Sequence, residues 1–325
     1  MAPTLQDVGS LPEKLLLATP RGYCAGVDRA VQTVERALDL YGPPIYVRKE
    51  IVHNKHVVDQ LRQRGAIFVD SETEVPEGST VVFSAHGIAP SVRHGASKRR
   101  LETIDATCPL VTKVHVEARK FAENGYTIVL IGHDGHEEVE GTMGEAPDRI
   151  VLVESVDDVD VLEVEDPDKV AFITQTTLSV DETQAVIERL RERFPKVVGP
   201  RTDDICYATT NRQAAVKELA KRCDLVLVIG SDNSSNSNRL VEVARECGVD
   251  SHLIDHEGEL QEDWLKDKRV VGITSGASAP EELVQRLIAF FRARASVVVE
   301  ELHVVPEDVR FMLPKEIRRA MAGAS

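Results

Sequence analysis

Short runs of β-branched and aliphatic residues alternate along the chain with longer stretches whose apolar positions recur every three or four residues. The runs Leu15–Ala18, Ile45–Val47, Val81–Ser84, Ile128–Ile131, Val170–Thr174, Leu225–Ile229 and Val270–Thr274 read as strands. The longer period predicts helices over Val27–Leu40, Val111–Glu123, Thr209–Lys221, Asn238–Cys247 and Glu281–Arg294. Strands that are apolar on both faces and alternate with helices define the fold class as α/β, with mainly parallel sheets covered by helices. In such sheets ligands bind at the loops beyond the carboxyl ends of the strands.

Three cysteines occupy similar places in this pattern, in RGYCAGVDRA (Cys24), DATCPLVTKV (Cys108) and DDICYATTNR (Cys206). Each follows a strand or extended segment and precedes a helix. Two polar loops follow each of them: His53 and His86 after Cys24, His136 and Thr176 after Cys108, Ser234 and Ser278 after Cys206. The repeat lies in the layout rather than the letters. It predicts three similar α/β units, 14–107, 108–205 and 206–300, with a tail over 301–325. Each unit would turn one cysteine and two polar loops toward a common centre. The plainer alternative is that any α/β chain has polar loops after its strands. The acidic stretch ESVDDVDVLEVEDPDK, Glu154–Lys169, reads as a solvated connection within the second unit.

Charge narrows the choice of ligand. A formal net charge of −15 argues against a general nucleic-acid surface, which needs a basic stripe. It leaves room for a small anion held by concentrated local donors. No apolar run reaches the length that spans a bilayer, so no membrane partner is expected. The opening MAPTLQDVGSLPEK lacks a basic and then apolar leader, so the chain is expected to be cytoplasmic.

Five cysteines in such a compartment do not suggest a disulfide framework. No close Cys-x₂-Cys pair occurs, which argues against a zinc ribbon. Three thiolates from separate units suit an iron–sulfur cluster. Three ligands rather than four would leave one iron open to a substrate oxygen. Isolated cysteines are also common as small buried hydrophobes, and layout alone does not choose between the two. Cys223 and Cys247 lack the strand–Cys–helix setting and are assigned to packing.

SDNSSNSN is dense in small hydroxyl and amide groups ahead of a helix. It reads either as an anion cradle built on Ser234, Ser235 and Asn236 or as simple N-capping. Ser278, just before Pro280, sits in a similar place. His53, His86 and His136 are either exposed polar residues or hydrogen-bond donors to phosphate. His56, His94, His133, His252 and His256 look peripheral. His115 is placed on the exposed or flanking face of its helix.

The strings PRGYCAGVDRAV, IVHNKHVVD, FSAHG, DATCPLVTKVH, GHEEVEGTMG, TQTTLSVDET, DDICYATTNRQ, GSDNSSNSNRL and TSGASAPE resemble, in order, the 4-hydroxy-3-methylbut-2-enyl diphosphate reductase family. The resemblance runs from about Leu15 to about Val299, with a weaker match at FMLPKEIRR. The first dozen residues are an extension the family does not require. The resemblance implies three α/β units arranged pseudo-threefold around a central 4Fe–4S cluster held by Cys24, Cys108 and Cys206, with one open iron. It implies an allylic diphosphate substrate held by His53, His86, His136, Ser234, Ser235, Asn236 and Ser278. Thr176 and Glu138 would lie near the substrate hydroxyl, with Glu138 as the catalytic proton donor and Gln175 beside them. Glu137 and Glu140 carry no role. The activity implied is a two-electron reductive dehydroxylation, with a ferredoxin or flavodoxin as electron donor. An iron–sulfur sensor and a thiol-based phosphotransfer enzyme are the competing classes. The first leaves the anion cradle and the carboxylate of GHEEVEG unexplained; the second lacks the Cys-x₅-Arg of a phosphatase loop.

Overall fold

The computed structural model describes residues 11–323, so most of the opening extension lies outside the described residues. In chain order come β1 (Lys14–Thr19), α1 (Ala25–Tyr41), β2 (Ile45–Arg48), α2 (Lys55–Gln63), β3 (Ala66–Val69), β4 (Thr80–Phe83), α3 (Pro90–Lys98) and β5 (Glu102–Asp105). Next are α4 (Pro109–Glu123), β6 (Thr127–Ile131), α5 (Glu137–Met143), β7 (Ile150–Val153), α6 (Val156–Val161), β8 (Val170–Thr174) and α7 (Val180–Arg193). The last are α8 (Tyr207–Ala220), β9 (Leu225–Ile229), α9 (Ser235–Glu246), β10 (Asp250–Ile254), β11 (Val270–Ser275), α10 (Glu281–Arg292), β12 (Val298–His303) and α11 (Lys315–Gly323). All seven strands and five helices expected from periodicity are present.

Three parallel sheets result, ordered β10-β9-β11-β1-β12, β3-β2-β4-β5 and β7-β6-β8. The α/β class with three sheets agrees with the sequence reading. The unit boundary at residue 14 differs from it, because β1 pairs with β11 and β12 rather than with β2–β5. The reason is burial on both faces. Leu15 and Leu17 pack into one apolar layer with Leu225, Leu227 and Ile273, while Leu16 and Ala18 pack into another with Val226 and Val228. A strand whose alternate residues all need covering belongs inside a sheet.

Contacts cluster into two compact units. Among the described residues, one comprises 11–24, His53–Lys55 and Tyr207–Asp308, and carries the five-stranded sheet. The other comprises Ala25–Val52, His56–Cys206 and the chain from Val309, and carries the two smaller sheets. In the second unit β6 and β8 lie side by side in register, Ile131 opposite Thr174, so the loops that leave them are neighbours. The acidic stretch after β7 is largely exposed, as expected, but includes α6, begun by a capping box of Ser155 with Asp158. No helix among the described residues is long and apolar enough to cross a membrane.

Candidate active site

Each of the three cysteines stands immediately before a helix: Cys24 before α1, Cys108 as the N-cap of α4, and Cys206 before α8. All three are partly buried, and none of the five cysteines is in a disulfide. Their backbone N–H groups tie them to neighbouring loops: Cys24 to the Ala277 carbonyl (3.2 Å), Cys108 to Ala85 (2.9 Å) and Cys206 to Thr176 (3.1 Å). A helix start lowers the cost of a thiolate, through the dipole and the unpaired amides of the first turn. Three soft, partly buried sulfur donors at helix starts therefore fit an iron–sulfur group by their chemistry.

The remaining cysteines behave differently from these and from each other. Cys223 packs against the apolar layer of Val226 and Leu219, and burial pushes its thiol up to about 11. Cys247 is exposed at the C-cap of α9, which corrects its assignment to packing. The next residue, Gly248, takes the left-handed conformation (φ +82°) that ends the helix there.

In the second unit the loops after β6 and β8 hold the main polar constellation. Gly132, directly after β6, has no room for a Cβ, since Val139 and Gln175 close over it. The Gln175 side chain locks this loop by accepting from the His133 N–H (3.0 Å). His136 is the N-cap of α5, its Nδ1 accepting from the Glu138 N–H (3.1 Å). Glu138 then turns inward and is 2% exposed. One carboxyl oxygen accepts from the Thr176 N–H (2.7 Å) and the other is 2.9 Å from the Thr176 hydroxyl. Burial pushes the Glu138 carboxyl up to about 7; the Thr176 contacts and the charge of His115 pull it down, while Asp204 pushes it up.

His86 contacts Glu137, Nδ1 to carboxyl oxygen 3.1 Å, and its ring meets that of His136 edge-on at 5.9 Å. Glu137 carries no role in the resemblance, but the contact puts its carboxylate against one of the candidate substrate-binding histidines. The pairing joins α5 to the loop after β4, a proximity that sequence spacing does not reveal. His115 is likewise corrected: it is 5% exposed, with Nδ1 2.8 Å from Glu145.

In the first unit Ser234 caps α9, accepting from the Ser237 N–H and hydroxyl, and lies 3.4 Å from the Ser278 hydroxyl. Ser278 donates to the His53 carbonyl (2.8 Å). Asn236 accepts from the Ala277 N–H (2.8 Å), while its Nδ2 is buried with no hydrogen-bond partner. Ser235 opens α9. Gly276 and Gly230 permit this packing, since a Cβ at either would strike Ser237 at 2.0 and 2.2 Å. Ser234, Asn236, Ser278 and the His53 backbone are thus brought together in one unit, and His86, His136, Glu138 and Thr176 in the other.

A parallel α/β protein with thiols at three helix starts, a hydroxyl- and amide-lined helix N-terminus and a buried carboxyl has a recognisable family. The model of the LytB protein family matches residues 15–292, and the chain belongs to that family. It is 57% identical over 321 residues to a 4-hydroxy-3-methylbut-2-enyl diphosphate reductase of Leifsonia xyli subsp. xyli, covering 98% of this chain and 95% of that one. It is 59% identical to the protein of the same name from Acidothermus cellulolyticus, covering 98% and 94%. Among solved structures, the E-1-hydroxy-2-methyl-but-2-enyl-4-diphosphate reductase of Plasmodium falciparum superposes with a TM-score of 0.94 at 39% identity, covering 96% of this chain and 99% of that one.

Proposed function

We propose that this chain is an iron–sulfur oxidoreductase that converts 4-hydroxy-3-methylbut-2-enyl diphosphate to isopentenyl and dimethylallyl diphosphate, the last step of the methylerythritol phosphate route to isoprenoids. Near-complete coverage of relatives bearing that name supports the reading. The observation that carries the chemistry is the buried Glu138 carboxyl, poised near neutrality and held by Thr176. Cys24, Cys108 and Cys206 would hold a 4Fe–4S cluster through their three thiolates, and with only three protein ligands one iron would be open to the substrate oxygen. When bound, that cluster supplies two electrons and a Lewis-acidic iron.

The chain's own residues hold the substrate and move the proton. His53, His86, His136, Ser234, Ser235, Asn236 and Ser278 receive the diphosphate, with the α9 N-terminus favouring its charge. Thr176 fixes both oxygens of Glu138, so the carboxyl keeps one orientation. Glu138 in its neutral form donates a proton as the substrate's C–O bond breaks, and the hydroxyl leaves as water. A second proton and two electrons complete the reduction. The electrons come from a small ferredoxin or flavodoxin, and the setting is cytoplasmic.

The direct test is anaerobic purification, iron and acid-labile sulfide analysis, and oxidation of the dithionite-reduced protein by the substrate. The expected result is iron and sulfide in equal amounts and oxidation by substrate alone. A protein that carries a cluster but stays reduced when substrate is added would overturn the activity.

The anion cradle has its own test. Asn236→Asp keeps the oxygen that accepts from Ala277 and replaces the unpartnered donor by an acceptor. A hydrogen bond to a charged group contributes about 1.5–3 kcal/mol, or roughly one to two decades of affinity. Binding of inorganic diphosphate, measured by calorimetry, should weaken by at least that factor with iron content unchanged. Unaltered diphosphate affinity would reject the cradle.

A further inference from the structure

Each helix that follows one of the three cysteines carries a basic side chain five or six residues on, and all three point at main-chain carbonyls just before another of the cysteines. Arg29, on α1 after Cys24, donates to the carbonyls of Thr107 (3.0 Å) and Asp105 (3.4 Å), the residues leading into Cys108. Lys113, on α4 after Cys108, donates to the carbonyls of Thr202 (2.6 Å) and Asp203 (3.0 Å) and to the Asp204 carboxylate (2.9 Å), the residues leading into Cys206. Arg212, on α8 after Cys206, donates through Nε (3.2 Å) and Nη2 (2.6 Å) to the Gly22 carbonyl, two residues before Cys24. In chain order the series closes on itself.

The details show that these contacts are built in rather than incidental. Arg212 is fully buried, its charge answered by Glu307 at 3.2 Å. Gly22 has φ of +70°, a left-handed conformation in which its carbonyl meets that guanidinium. Asp204, fully buried at its side chain, also accepts from the Thr174 N–H (3.1 Å), tying the segment before Cys206 to the end of β8. Arg29 reaches past Thr107 to the Met312 carbonyl (2.8 Å). The carbonyls concerned lie in irregular segments outside the strands, save for Asp105 at the end of β5. A side chain on a rigid helix supplies the order that loop backbone otherwise lacks.

We infer that Arg29, Lys113 and Arg212 are positioning residues for the metal centre, each fixing the sulfur of the next cysteine in the series rather than that of its own helix. The inference rests on the reading of Cys24, Cys108 and Cys206 as cluster ligands. It makes a directional claim: loss of Arg29 loosens Cys108, and loss of Lys113 loosens Cys206. Groups beyond the first ligand atoms commonly set metal affinity by about 10–100-fold.

The test uses the holoprotein, purified anaerobically, with Arg29→Gln and Lys113→Met variants and Lys113→Arg as the conservative control. Iron release to a chelator is timed, and iodoacetamide labelling during release is mapped cysteine by cysteine. Exposed Cys247 serves as the internal reference for reagent strength. Iron release should quicken by about tenfold or more in both variants. Cys108 should label first in Arg29→Gln and Cys206 first in Lys113→Met, with Lys113→Arg restoring the parental pattern. Parental release rates in both variants, or the same order of labelling in each, would overturn the inference. Uniform loosening of all three cysteines would reduce the contacts to general stability and overturn it too. Should a cysteine-to-serine variant at any of the three positions keep its iron, the ligand reading fails instead, and the two failures are told apart by which variants carry them.

Discussion

Cys108→Ser is expected to purify with most of its iron and acid-labile sulfide gone, and with substrate-dependent oxidation abolished. Serine places a hard hydroxyl, hardly ionised at neutral pH, where soft thiolate chemistry is needed. Residues that only support metal ligands already change affinity by about 10–100-fold, so removal of a ligand atom should exceed that. The helix start does not compensate, because the α4 dipole favours an anion that serine does not supply. Cys223→Ser and Cys247→Ser are the controls. The first lies against an apolar layer with its thiol raised by burial and the second is exposed, so both should keep full iron. Iron and sulfide per chain, with the visible spectrum, decide the matter. Full iron content in Cys108→Ser would remove that residue from the ligand set.

The strands most readily found in the sequence are those apolar on both faces, such as VAFIT of β8 and LVLVI of β9, every residue of which is buried. Among the strands not read from the sequence, β5 and β12 are marginal in period, whereas β3 (AIFV) and β7 (IVLV) are apolar runs of only four residues. The β5 run ETID has one buried residue, and VVEELH of β12 likewise buries only Leu302. Edge strands with solvent on one side need no continuous apolar run, so length and hydrophobicity give no signal. α5 was hidden for a different reason: it is seven residues long, with a glycine inside it and its one fully inward carboxylate among three acids.

Within the site, type and order of residues were legible, while partners were not. Glu138 and Thr176 were placed together by resemblance, but the burial that raises the carboxyl comes from long-range packing that no local window contains. His115 was a readable miss. Val111, Val114, His115 and Ala118 are the buried positions of α4, spaced i, i+3, i+4, i+7, so the period already placed the imidazole in the inward stripe. The basic residues after the cysteines also left a signal, in CAGVDR, CPLVTK and CYATTNR, a cation five, five and six residues beyond the sulfur. What spacing could not show is that each answers a different cysteine's loop.

Glu138→Gln should keep its cluster and still bind substrate, yet lose turnover by about 10²–10⁴-fold, the usual worth of a positioned general acid. The amide preserves size and can still meet the Thr176 N–H and hydroxyl, so the loop pairing is retained. What it lacks is a transferable proton. With the parent carboxyl raised to about 7, the proton-donating form dominates below that pH, and the parent rate should fall as pH rises through it. The same shift has a sign for stability. Between the ordinary value of 4.5 and about 7 the folded chain holds a proton that the unfolded chain releases, so this group's contribution is complete at low pH and declines as pH rises. Glutamine mimics the protonated form, so Glu138→Gln should melt no lower than the parent above pH 7, and its stability should lose that part of the pH dependence. Exposed Glu140 provides the control, and Glu140→Gln should stay within a few-fold of the parent (roughly 1 kcal/mol). Glu137 is unsuitable as a control because it touches His86. The measurement is single-turnover oxidation of the dithionite-reduced protein across pH 6–9, with iron content and melting temperature recorded for each variant. A Glu138→Gln protein with a full cluster and the parent rate would mean that the proton comes from another group, and that Thr176 holds this carboxyl for structure alone.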